Sequence, residues 1–231
     1  MTDLQHGHLR TPPAAWLRSP IGLGRAAVAA LGLVIATDLA AVWADVGMHE
    51  LWADYADGSY DAVLDGRADR VERLYSWTGI AQTVAMIASM VLFLCWFHRA
   101  RVNAEVFSPF GHSKKRGWAV GGWFVPVIHF WYPRRITLDI WDASSPWSAP
   151  RPHGLVNAWW TLWVISLIAG RASFTQYKNA KTPEQIRDAV ESVMITDVID
   201  IVAAALAIAV VLRLTRMQHE KALQGPAPVP A

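Results

Sequence analysis

The sequence predicts an all-α membrane protein: four transmembrane helices plus a short re-entrant or interfacial segment. Composition is the first reason. Of the 231 residues 53% are hydrophobic and 17% charged, whereas soluble domains run to roughly 45–50% apolar and about 25% charged. Second, the apolar residues gather into four runs on the scale needed to cross a hydrocarbon core of roughly 30 Å. Third, there are thirteen tryptophans, and indole favours the boundary between lipid and water. Charge and cysteine exclude other classes. The formal net charge is only +2 and the longest basic run is Lys114-Lys115-Arg116, so no nucleic-acid partner is expected. The single cysteine, Cys95, lies in an apolar run, which rules out a disulfide framework or a cysteine zinc site.

Residues 1–25 read as a polar N-terminal tail. The first span, 26–46, is longer than the roughly 7–15 residues of a signal-peptide core and is read as a retained signal anchor. The second, 74–97, reaches about 36 Å at 1.5 Å per residue. The third, 155–170, is short, and Arg171 can extend it by snorkelling. The fourth is 193–212. Upstream of it, Thr182-Pro183-Glu184-Gln185 has the form of a helix start, with a threonine cap, proline in the first position and glutamine closing the box. That helix is expected to run unbroken to about Thr215 and to project beyond the membrane at its N-terminal end. The membrane domain is therefore 26–215, with a second tail over 216–231.

Residues 118–132 (WAVGGWFVPVIHFWY) are too few for an easy span and carry Gly121, Gly122 and Pro126 in the middle. If the segment dips in and returns, Lys and Arg divide fourteen to seven between the cytoplasmic and outer sides; if it crosses, twelve to nine. The positive-inside rule favours the return. Both termini are then cytoplasmic, the protein is a multi-pass component of the plasma membrane, and a surface helix is expected over 136–143.

Four sets of residues could carry chemistry. Asp38, Asp197 and Asp200 lie inside predicted spans, where an ionised group costs roughly 2.5–3.5 kcal/mol and normally faces a partner or a polar interior. They either glue helices through Thr37, Gln82 or Thr196 or form a substrate or ion site. Glu50, Asp54, Asp57, Asp61, Asp65, Asp69 and Glu72 recur at helical spacing and read as the solvated face of one helical segment, with a cation-gathering vestibule as the alternative. His98 and His129 are the histidines nearest the membrane, but no HxxxH or ExxH spacing accompanies them, so neither a metal nor a cofactor is expected. Trp159, Trp160 and Trp163, with Trp123 nearby, suit an interfacial belt or the aromatic wall of an amine site. No nucleophile elbow, phosphate loop, dinucleotide fingerprint or zincin motif occurs.

Residues 96–142 contain Arg99, Arg101 and Asn103 at a helix exit, Trp118, the run Gly122-Trp123-Phe124-Val125-Pro126, Pro133 followed by Arg134, and Trp141. This pattern resembles a bacterial membrane family known as domain of unknown function 4328, widespread in actinobacteria, over about two thirds of the chain. His129 stands where the family commonly has Asn, and Pro133-Arg134-Arg135 replaces a tyrosine-containing step. Relatives in biosynthetic clusters for valanimycin-type azoxy and hydrazine natural products would imply a membrane-embedded rearrangement of an aminoacyl hydroxylamine ester to a hydrazine. On that reading Asp38, Asp197 or Asp200 binds the substrate ammonium, and His129 acts as base. Trp123, Trp159, Trp160, Trp163 and Arg135 line the substrate. The expected partners are the lipid bilayer and a small amine-bearing molecule, and a homo-oligomer is compatible with both. The competing reading is a non-catalytic protein: permease-like, immunity or regulatory.

Overall fold

The structure, a computed structural model, describes residues 17–59, 62–146, 149 and 151–224, with the side chains of 62–65 left out. Its helices are α1 (Ile21–Ala56), α2 (Ala62–Phe107), α3 (Trp118–Gly121), α4 (Tyr132–Ser144), α5 (Gly154–Asn179) and α6 (Pro183–Gln224), with a 3-10 turn over Ile128–Phe130. No strand occurs among the described residues. α1, α5, α6 and the stretch of α2 from Gly66 are each long and apolar enough to cross a membrane. Their outward faces carry large exposed apolar side chains such as Leu39, Trp43, Val84, Ile168 and Val198, as expected of helices solvated by lipid.

The helices run further than the apolar runs that announced them. α1 begins at Ile21 rather than residue 26, and α6 continues to Gln224 rather than stopping near Thr215. Residues 21–25 and 216–224, read from sequence as parts of the two tails, are therefore helical. The threonine cap of α6 is as expected, the Gln185 N–H donating to Thr182 Oγ1 at 3.3 Å, while Gln185 Oε1 closes the box one residue further back, accepting from the Lys181 N–H at 2.9 Å. The acidic stripe does not lie on one helix. The chain turns between α1 and α2 at Gly58, whose φ of 80° is the left-handed conformation that favours glycine. The two arms fold together, and Arg67 of α2 pairs with Glu50 and Asp54 of α1, each at 2.8 Å. Asp61 and the Asp65 side chain lie outside the described residues.

Residues 118–132 double back. Lys114 Nζ stands 4.4 Å from the centre of the Tyr132 ring, and Trp118 meets the same ring edge-on at 5.1 Å. At the tip, the Ile128 N–H donates to Pro126 O at 2.8 Å across Val127, a γ-turn in which Val127 has φ 69°. A β-branched residue resists that conformation, which costs about 1–3 kcal/mol and needs firm support from its surroundings. α4 follows, and it is more than a surface helix. Ile136, Leu138, Ile140 and Trp141 are buried where α4 packs on α2, α5 and α6.

α1 is central, packed along both α6 and α2, and α5 lies on the far side of α6. The interior is layered. An end layer gathers Trp96, Phe97, Ile136, Trp141, Trp159 and Leu214. A thin layer of Val34, Ala85 and Ala204 follows. At the opposite end Met48, Leu51 and Val190 close the bundle. Between the last two layers, in the register of α1, α2 and α6, lie the buried acids.

Candidate functional site

Every spanning helix contributes to this polar layer. α1 supplies Asp38 and, two turns on, Asp45; only 3% and 1% of these residues is exposed. α6 supplies Asp197, also buried, and the half-buried Asp200 one turn later. α2 supplies Gln82, whose single Nε2 donates to Asp38 Oδ1 and to Asp197 Oδ2, both at 3.1 Å. One primary amide thus spends both of its hydrogens bridging two carboxyl groups from different helices. Asp45 lies against Asp197, and Asp200 faces Ser166 of α5. Tyr75 of α2, near Asp45 and Asp197, stacks on Tyr177 of α5 at 6.1 Å.

The hydrogen-bonding capacity of the layer is not used up. Asp38 Oδ2 and Asp45 Oδ2 are buried and receive no N–H or O–H donor, and the neighbour of Asp45 is itself a carboxyl group, that of Asp197. A carboxylate oxygen in that position normally finds a donor, since an unpaired buried polar group costs about 1–3 kcal/mol and more when charged. Two acceptors from one helix therefore face an environment that supplies acids, a bridging amide and apolar lids but, among the described residues, no cation. Of the partners named from sequence, Gln82 bonds to two of the acids. Thr37 instead bonds the backbone of its own helix, and Thr196 bonds Ser192 O and Ser173.

His129 sits elsewhere. Its ring packs on Phe130 at 4.0 Å and on Trp163 at 6.4 Å. With Phe130, Leu167, Ile168, Arg171 and Gln176 it lines a groove of about 790 Å³ along the outer side of α5. It shares no hydrogen bond with Asp38, Asp197 or Asp200 among the described residues. Its backbone is tied to the turn, since Val125 O accepts from the His129 N–H at 3.1 Å.

The tryptophans form a packed cluster rather than an open wall. Trp123 is the hub, 5.3 Å from Trp163, 6.0 Å from Trp160, 6.4 Å from Trp159 and 5.5 Å from Phe93. Trp160 Nε1 donates to Phe130 O at 3.2 Å, which ties the doubled-back segment to α5. Arg135 is engaged with Asp139 at 3.4 Å and with Ser113 Oγ, away from the acid layer.

The residues of the recognisable pattern gather at the α4 end of the bundle. Asn103 Oδ1 accepts from the Arg18 N–H, and Asn103 Nδ2 donates to Arg18 O and to Gln218 Oε1. Gln218 Nε2 donates to Ala100 O at 2.8 Å and to Ser144 Oγ at 3.2 Å. Lys221 Nζ donates to Ala143 O and Ser145 O. Arg101 pairs with Glu105 at 2.8 Å and donates to Lys114 O. Glu105 is also paired with Arg116. Close by, both ring nitrogens of His112 are buried without a well-formed hydrogen bond. Burial, and then the Arg101 guanidinium, hold its pKa below the ordinary histidine value.

Sequence reasoning missed Asp45. It lies seven residues after Asp38 and so on the same face of a helix, and it falls inside the first span as read, one residue from its end. Seven-residue spacing along an unbroken α1 would have found it.

The family model described as a domain of unknown function (DUF4328) matches residues 59–216. No curated protein and no solved structure matches the chain.

Proposed function

From a chain that belongs to the DUF4328 family, we propose a membrane protein that binds a small amine-bearing molecule, as its ammonium, in the carboxyl layer of its helix bundle. The observation that carries this is the pair of buried acceptors Asp38 Oδ2 and Asp45 Oδ2, which receive no N–H or O–H donor. An ammonium offers three donors and a positive charge, which is the complement that layer lacks. The apolar layers on either side, Val34-Ala85-Ala204 and Met48-Leu51-Val190, favour an occluded, permease-like binding site. Purified protein titrated with propylammonium tests this by calorimetry. Asp38→Asn and Asp45→Asn are each expected to weaken binding by about tenfold to a hundredfold, the scale of one charge-assisted hydrogen bond. Asp54→Asn, in the half-buried Arg67 pair at the α1–α2 end of the bundle, should bind as the parent does. Equal affinity in all four proteins removes the reading.

A second reading has its own support. His129 and Arg171 give the groove of about 790 Å³ a base and a cation beside the apolar Phe130, Leu167 and Ile168 and the polar Thr175, Gln176 and Asn179, as chemistry on a bound amphipathic metabolite requires. That metabolite would be an aminoacyl hydroxylamine ester rearranging to a hydrazine. Mass spectrometry of such an ester incubated with the protein decides it, and His129→Asn should then abolish conversion. The absence of contact between His129 and the acids makes this the weaker of the two.

For orientation we propose both termini on the cytoplasmic side of the plasma membrane, from the distribution of Lys and Arg. In a Cys95→Ser background, Phe110→Cys should react with an impermeant maleimide only from the cytoplasm. Ser59→Cys, at the α1–α2 turn, should react only from outside. Labelling of both from one side overturns the topology.

A further inference from the structure

Beyond the acid layer, a second polar cavity of about 130 Å³ lies where the C-terminal part of α6 meets the loop between α4 and α5, lined by Arg151, Arg213, Arg216, Met217 and Glu220. Three guanidinium groups meet one carboxylate here. That carboxylate is committed: Glu220 Oε1 accepts from Arg216 Nε at 2.6 Å. Arg151 is held from behind, since its N–H donates to Ser145 Oγ at 3.3 Å and its carbonyl accepts from Trp141 Nε1 at 3.3 Å. Ser145 and Trp141 are both buried. Its Nε is nevertheless buried with no hydrogen-bond partner. A guanidinium donor in that state needs an acceptor, and the local charge balance asks for an anion.

We propose that this pocket binds a phosphate group, specifically the headgroup phosphate of an anionic membrane lipid. The guanidinium fork matches the spacing of phosphate oxygens, and two side chains from one helix with a third from a loop can surround a tetrahedral anion. The depth selects the lipid. Arg213 directly follows Leu212, the last residue of the apolar run of α6, so the pocket opens at the level where headgroups lie. Basic pockets at that level on helical membrane proteins take anionic headgroups. A bound lipid would also tie the α4–α5 loop to α6.

Native mass spectrometry of the full chain in detergent, with phosphatidylglycerol, phosphatidylcholine or inorganic phosphate added, tests the assignment. Phosphatidylglycerol should be retained in preference to the zwitterionic lipid, and inorganic phosphate at equal concentration should not displace it. Each of Arg151→Gln and Arg213→Gln should reduce retention by roughly tenfold, the loss of one charge-assisted bond. Glu220→Gln, which removes the competing carboxylate, should keep or raise it and also serves as the folded control. Equal retention by the Arg151→Gln/Arg213→Gln/Arg216→Gln protein overturns the site, as does equal retention of the two lipids. Full displacement by inorganic phosphate overturns the lipid assignment.

Discussion

Trp96→Ala is expected to destabilise the bundle by about 3–5 kcal/mol, the usual cost of deleting a large buried aromatic. Trp96 is fully buried, packs on Phe93 and Phe97 and donates from Nε1 to Thr215 Oγ1 at 2.9 Å. Its removal leaves a void between α2 and α6 and an unpaired hydroxyl beside it. The neighbourhood cannot easily collapse to fill the space, because Thr215 is already pressed against α1: a Cβ on Gly24 would stand only 2.8 Å from its Oγ1. Thermal unfolding in detergent, followed by circular dichroism, reads the loss. Trp96→Phe should recover most of the packing but not the hydrogen bond. A melting temperature for Trp96→Ala equal to the parent's would show that the end layer does not set stability.

Gln218→Leu should cost roughly 2–6 kcal/mol, at about 1–3 for each of the two side-chain groups, on Asn103 and Ser144, that lose their partner. The side chain is 1% exposed and joins three elements: Asn103 and Ala100 of α2, Ser144 of α4 and its own α6. Leucine has nearly the same volume, so a loss of that size reports hydrogen bonding rather than a cavity. The sharper measurement is a double-mutant cycle with Asn103→Leu. Residues in one network couple by about 0.5–3 kcal/mol, so the double variant should lose less than the sum of the single losses. Strict additivity would mean that Asn103 and Gln218 act independently, and that the α4 end is held by apolar packing alone.

What the sequence made legible follows from which signals are local. Four apolar runs announce four helices because lipid forces the backbone to satisfy its own hydrogen bonds, and the box at Thr182 marks where α6 begins. Helix ends outside the apolar runs were misplaced, since polar residues such as Arg18 and Gln218 continue the structure by tertiary bonds that leave no periodic trace. Gly58 argued against a single acidic helix, but regular acid spacing on both sides of it hid the turn. Asp38 and Asp197 could be flagged as acids in apolar surroundings. Their joint bridge to Gln82 depends on the rotation of three helices, which no single segment encodes. The same holds for Trp123, whose place at the hub of the aromatic cluster is set by the fold of 118–132.

In a polarised membrane the layer of Asp38, Asp45 and Asp197 becomes an electrical element. It is bracketed by Val34, Ala85 and Ala204 on one side and by Met48, Leu51 and Val190 on the other, so it stands part-way through the voltage drop. A cation reaching it from either face has crossed a fraction of the field, and a full elementary charge over 100 mV is worth about 2.3 kcal/mol. Half of that drop shifts occupancy roughly sevenfold. An ammonium held there as proposed would therefore load more readily from the positive face and leave more readily toward the negative one, a direction set by the field and not by the apolar layers.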